Sequence, residues 1–548
     1  MSSATELGNR PEMDDRRTLA PTLLDDTDHK RVGRLFIYAG LAFLVAGGVA
    51  GMLMRAELAE PGAGFLADDY ARSFSLHVTV LAALALPALW TGLATYLIPL
   101  QIGANRLAFP RLQASALWMH VAGGGLVLVS HVMNGFTLVG PSFAEPVNLA
   151  GPASTADQLW ITGSGVVALA ALASAVNLLV TLVALRSPAV RLGRLPLFSW
   201  AILATSAVGL LSIPVHLGGL VLLYVDRHFG GALFQAIGGD DIWRHSIWLF
   251  GRPEILLLTV PGLGVAAAVA VGHGRRRLLG EPAVRGGLLA VSVLSVGVWA
   301  AGSSVASSLT APTYSAITAL TALIPFALVP AIVGTVALGR PRLHPSLGFV
   351  VGAVALHGLA LLNAAIAAVV GVTGSAWSTG YQHAGFLLPP LLFAGAALWH
   401  WAPKIWGRRL SPAAGWLAAL GLMGGGVLQS GASFLAGYQG EANRSLDTGN
   451  VALSRIAGLG AALTILAFAV LVLEVTRAAL AKPDRDLADD AWGDGDGLEW
   501  TVPSPPLRRN FESLPGTVVI EPDPEPGPAE AETETETETD DAPVGVSA

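Results

Sequence analysis

The chain has 548 residues, 53% of them hydrophobic and only 13% charged, with a mean hydropathy of +0.59. Soluble domains carry about a quarter charged residues, so this composition excludes a soluble fold and describes a polytopic membrane protein. The absence of cysteine excludes disulfides, thiolate metal sites, iron–sulfur clusters and thioether-linked haem, and leaves His, Asp, Glu, Met or Tyr to hold any metal.

Residues 1–29 are polar and charged and are expected to lack a fold; they carry no cleavable leader pattern, because the first apolar run is already a full span. Uncharged stretches then run Leu35–Met54, Ser73–Asn105, Leu112–Ala144, Gln158–Leu185 and Leu195–Val225. A further span over roughly 243–272 contains Arg252 and Glu254. Gly286–Gly339 is long enough for two crossings, turning near Gly302, Ser303 and Ser304, and Leu343–Pro403 for two more, turning between Gly374 and Gly380. Leu410–Gly440 and Ile456–Leu473 complete an all-α arrangement of twelve transmembrane helices over residues 30–482. Residues 483–548 hold 18 acidic and 3 basic residues of a total net charge of −7, and Glu532–Asp541 reads ETETETETDD. This tail is expected to be disordered and cytoplasmic.

Placing the N-terminus in the cytoplasm puts most Lys and Arg on the inner side, as the charge asymmetry of membrane proteins requires. Inside fall Lys30, Arg31 and Arg34, Arg106 and Arg111, Arg275 to Arg277, Lys404, Arg408 and Arg409, among others. Outside fall only Arg55, Arg72, Arg227, Arg244, Arg444 and Arg455. The same frame sorts the twelve histidines by depth. His77 on helix 2 and His383 on helix 10 lie a turn or two from the outer end of helices that run in the same direction. Two imidazoles at matching depth fit the faces of one porphyrin, or are two unrelated polar residues bonding across helices.

Six stretches carry a resemblance: TDHKRVGRLF (27–36), RAELAEPG (55–62), SLHVTVLAALALPALWTGLATYLIPLQIGANRLAFPRL (75–112), VDRHFGGALF (225–234), HSIWLFGRPEILLLTVPGLG (245–264) and ALWHWAPKIWG (397–407). In this order the chain resembles subunit I of the haem–copper terminal oxidases, the cytochrome c and quinol oxidases. The resemblance implies that His77 and His383 hold a low-spin haem, His383 being the second member of the family's His-x-His pair.

The same comparison marks departures. The histidine that ligates the family's high-spin haem is Tyr381 here, and the copper histidine of its Gly-His-Pro-Glu motif is Arg252. The adjacent histidine pair expected after Trp299 and Ala300 is replaced by the segment containing Gly302, and no histidine occurs between His273 and His344. The motif tyrosine is Leu256, the acid opening one proton channel is Arg106, and the lysine of the other is Val329. Glu254 is the one channel acid retained; it pairs with Arg252 or keeps a proton role. Arg252 either substitutes its fixed charge for that of copper or snorkels outward. His216 is an alternative ligand near the second centre or a hydrogen-bonded core residue, and Arg444 lies near the family's propionate-binding arginines. His120, His131, His245, His357 and His400 read as interfacial or packing residues.

The expectation is therefore a haem-binding respiratory electron-transfer subunit of the plasma membrane with one low-spin haem b. The oxygen-reducing centre is lost and copper is absent. Its partners would be other respiratory membrane subunits and a periplasmic carrier or quinol, and no nucleic acid. The alternatives are an active oxidase with an unusual second centre, or a haem-free transporter or structural partner on the same helix frame.

Overall fold

The computed structural model describes residues 26–60, 69–133, 138–139, 145–146, 154–230, 258–298, 311–372, 375–442, 449–493 and 497–511, with 62, 64–66, 233 and 515. The first helix, α1 (His29–Glu57), is capped by Asp28, whose carboxylate accepts the Lys30 N–H at 3.0 Å. The second, α2, runs through Tyr70–Thr79, a π turn over Val80–Ala85, and Leu86–Gln101. Then follow α3 (Pro110–Val132), α4 (Thr155–Ala184), α5 (Leu197–His228), α6 (Leu258–Gly274) and α7 (Glu281–Val298). The helix α8 is built of Ala311–Ala327 and Val329–Ala337, and α9 spans Pro345–Val370. The next, α10, combines Trp377–Gln382, a second π turn over His383–Leu387, and Leu388–Trp406. The last two are α11 (Pro412–Tyr438) and α12 (Val451–Leu480).

Among the described residues, ten helices are long and apolar enough to cross a membrane; α6 is a shorter apolar helix, and α7 is not among the ten. The expected turn between 374 and 380 matches the break between α9 and α10, whereas Gly302, Ser303 and Ser304 lie outside the described residues. A two-residue antiparallel pairing of Leu138–Val139 with Glu145–Pro146 and a single bridge from Ser375 to Ala442 are the β structure among the described residues.

Consecutive helices pack as close antiparallel pairs because glycine lets their backbones meet. A Cβ on Gly92 of α2 would stand 2.8 Å from the Gly33 carbonyl of α1, and one on Gly123 of α3 would stand 2.8 Å from the Gly163 carbonyl of α4. The deep half of α10 is the centre of the core: Trp399, Trp401 and Lys404 are fully buried there. Leu211, Val221, Val293, Leu362, Leu417, Leu466 and Leu473 face outward and are exposed, as lipid contact demands.

One expectation is corrected. Beyond residue 482 the chain does not wholly lack a fold, because residues 484–493 and 497–511 pack on the arginine-rich end of the bundle. Trp492, Trp500, Val502 and Phe511 are buried there. Lys404 Nζ donates to the Asp489 carbonyl at 2.8 Å and also to that of Val502. Asn510 bonds the Ala104 carbonyl and the His29 ring, and the Phe511 N–H bonds Asn105. Averaging the charge of the whole tail hid these apolar anchors.

Candidate functional site

The two π turns sit beside the two histidines that the sequence paired. His77 lies three residues before the turn of α2, and His383 is the first residue of the turn of α10. π turns inside α-helices cluster at functional sites. The rings of His77 and His383 lie close together across the helix boundary, with centroids 6.1 Å apart and planes 28° apart.

Each ring is held by its own Nδ1. His77 Nδ1 donates to the Gly47 carbonyl of α1 at 2.8 Å, and His383 Nδ1 donates to the Thr379 carbonyl one turn earlier, also at 2.8 Å. An imidazole whose Nδ1–H is engaged by a carbonyl keeps its lone pair on Nε2, the arrangement found in metal-bound histidines. At a centroid spacing of 6.1 Å the two imidazoles are close enough to hold one metal ion between them, so His77 and His383 are the residues that would hold a haem iron here.

Space for a planar group is present as well. Both imidazoles line a cavity of about 760 Å³. Gly51 keeps it open next to His77, since a Cβ there would stand 2.6 Å from the ring's Cε1 and Nδ1. Arg55, one turn further along α1, also lines the cavity, and its guanidinium lies 3.5 Å from Ser433 Oγ. Sequence reading passed over Arg55 inside RAELAEPG. An arginine at the end of an apolar span, one turn after a glycine, was the available signal.

The other expected residues are distributed as follows. Tyr381 and His216 line the same cavity; Tyr381 stacks on Trp377 at 5.1 Å and 13°. His216 is buried on α5, and Thr205, Ser206 and Gly209 of the same helix also line the cavity. Arg106 is exposed in the loop between α2 and α3, and Val329 is half-buried at the start of the second half of α8. Arg252, Glu254, Leu256, Gly302 and Arg444 lie outside the described residues. No group of three or more His, Asp or Glu able to hold a metal occurs among the described residues. His400 takes no part in the cavity: its Nδ1 lies 3.2 Å from His273 Nε2 at the arginine-rich end, under Trp492.

A bundle of long apolar helices with two neighbouring imidazoles over an apolar cavity defines a membrane protein with a candidate porphyrin site. The comparisons specify it further. Residues 31–471 match the family model for cytochrome c and quinol oxidase polypeptide I, and the chain belongs to that family. It is 32% identical over 522 residues to a putative cytochrome c oxidase subunit 1-beta of Streptomyces coelicolor, covering 91% of this chain and 90% of that one. It is 30% identical to cytochrome c oxidase subunit 1 of Corynebacterium efficiens, covering 90% and 87%. The fold is similar to that of a solved haem–copper terminal oxidase dimer, with a TM-score of 0.69 at 16% identity over 83% of this chain and 85% of that one.

Proposed function

We propose that the protein is a haem-binding electron-transfer subunit of a respiratory membrane complex in which the low-spin haem site is kept and the oxygen-reducing centre is lost. The observation that carries this reading is the pair His77 and His383, close enough to hold one metal ion between them, with both Nδ1 protons committed to backbone carbonyls. A haem b in that site would supply reversible one-electron transfer. The protein's part is to hold two basic Nε2 atoms in place and to surround the site with apolar walls. Arg55 adds a fixed positive charge at its edge.

Loss of the second centre rests on the residues at the family's ligand positions. Tyr381, Arg252 and the segment around Gly302 replace imidazoles, Leu256 replaces the tyrosine, and Arg106 and Val329 replace the channel acid and lysine. A copper ion needs about three neutral imidazoles or comparable soft ligands, and none of these side chains supplies one. The same reading has twelve crossings with both termini in the cytoplasm, as the arginine distribution favours. It takes electrons from a periplasmic carrier, quinol or partner subunit. A second reading, an oxidase that keeps oxygen chemistry with unusual ligands, is favoured by the family match across 31–471.

Metal analysis and spectroscopy of the purified protein separate the two. The expected result is one low-spin haem, no copper and no carbon monoxide adduct of the reduced protein, with the haem signal abolished in His77→Ala and in His383→Ala. Stoichiometric copper with a carbon monoxide adduct would restore the oxidase. A full haem spectrum in the double variant would remove the two histidines from the site.

A further inference from the structure

Two histidines outside the candidate ligand pair reach across to the two π turns. His120 of α3 places Nε2 3.0 Å from the Leu84 carbonyl, inside the turn of α2. His357 of α9 places Nδ1 3.2 Å from the Gly385 carbonyl, inside the turn of α10. A carbonyl only accepts, so each imidazole is the donor and carries its proton on that nitrogen.

The sequence explains why the backbone is disturbed at both turns and, at Gly385, why the carbonyl needs a donor from outside. Pro87 follows the first turn, and Pro389 and Pro390 follow the second. A proline has no N–H, and its ring collides with the carbonyl four residues earlier, which for Pro389 is that of Gly385. The backbone relieves the collision by widening. The Leu86 N–H bonds the Leu81 carbonyl and the Leu388 N–H bonds the His383 carbonyl, each five residues back.

We propose that His120 and His357 are positioning residues that hold these two wide turns and thereby aim His77 and His383 at one another. The proposal rests on the reading of that pair as a haem site. A π turn adds one residue to the helix, which rotates everything on one side of it by about 100° relative to the other side. The deep halves, Leu86–Gln101 and Leu388–Trp406, are buried almost throughout, so packing fixes their orientation. The rotation therefore falls on the ends that carry His77 and His383. Without it the two rings would leave the shared face of their helices.

Packing alone does not account for the two residues. His120 is 3% exposed and lies against Phe36 and Phe43, where an apolar side chain would fill the same space. His357 leaves its buried Nε2 without a hydrogen-bond partner among the described residues, an unfavourable arrangement that leucine would avoid. Both instead spend a ring N–H on a helix carbonyl at the turn nearest a ligand.

The test uses the purified full-length protein, its electron paramagnetic resonance spectrum and its haem content. His120→Leu and His357→Leu remove the donor; His120→Gln and His357→Gln keep one in the side-chain amide. The Leu variants are expected to retain haem within about twofold of the parent but to shift and broaden the low-spin signal, because the angle between the two imidazole planes changes. The Gln variants are expected to restore the parental signal. Leu variants with the parental signal, or Gln variants displaced as far as the Leu ones, would overturn the positioning role. If the Leu variants do not accumulate, the Gln variants decide: a parental signal supports the role and an altered one overturns it. A parent protein with no low-spin signal would refute the haem site itself. A parent signal with unaffected variants refutes only the positioning role.

Discussion

Gly51→Ala should empty the proposed haem site without unfolding the bundle. The added methyl would stand 2.6 Å from Cε1 and Nδ1 of His77, whereas carbon contacts settle at about 3.5 Å. The ring must therefore retreat by about 1 Å. A displacement of that size breaks the 2.8 Å bond from Nδ1 to the Gly47 carbonyl, a loss of about 1 kcal/mol, and moves Nε2 by half the length of an iron–nitrogen bond. Overpacking adds about 1–3 kcal/mol, and the better helix propensity of alanine returns up to about 1 kcal/mol. The net cost of about 1–4 kcal/mol is tolerable for the fold but aimed at one side chain. The assay is the ratio of low-spin haem absorbance to protein, set against Gly125→Ala, whose methyl would meet nothing within 4 Å. The expected result is a strong loss of the low-spin signal in Gly51→Ala with monodisperse protein, and no change in Gly125→Ala. Full haem occupancy with an unchanged spectrum in Gly51→Ala would refute the site geometry.

Glu499 is buried at the arginine-rich end, where the Gln101 side chain donates to Oε1 at 2.9 Å, and burial pushes its carboxyl above the ordinary value of 4.5. A raised acid is more readily protonated in the folded state, so its contribution to stability is greatest at low pH and declines as pH rises above 4.5. Glu499→Gln should therefore raise the melting temperature at pH 8 and lose that advantage near pH 4.5; an equal effect at both values would contradict the assignment. Truncation after residue 515 should leave the bundle unchanged. Truncation after residue 481 strips Trp492, Trp500, Val502 and Phe511 from the core and leaves the Lys404 ammonium without its two carbonyl partners. Burial of four such side chains is worth about 6 kcal/mol or more, so that variant should melt lower and yield to protease first at the arginine-rich end, as limited proteolysis would report.

Hydropathy placed the long spans because a bilayer fixes both the length and the apolar content of a crossing, and both are properties of consecutive residues. That His77 and His383 would meet was legible for a related reason: depth along a helix is a count of residues, and both fell at the same depth, His77 inside a recognisable stretch and His383 a fixed distance before another. The family was equally legible, since its stretches are contiguous. What the sequence did not reveal depends on groups that meet only across helices. The π turns were signalled by Pro87 and by Pro389 with Pro390, but a proline predicts a disturbed turn without saying whether it kinks, breaks or widens. His120 and His357 read as packing residues because the carbonyls they serve are 36 and 28 residues away in the chain. The folded part of the C-terminal segment was hidden by an acidic average: Trp492 and Trp500 anchor it only because the ends of α6, α9 and α10 offer the surface that receives them. Helix length and histidine depth are set along the chain, whereas ring orientation and the seating of the tail are set by which backbones glycine and proline allow to approach, and that is decided only in three dimensions.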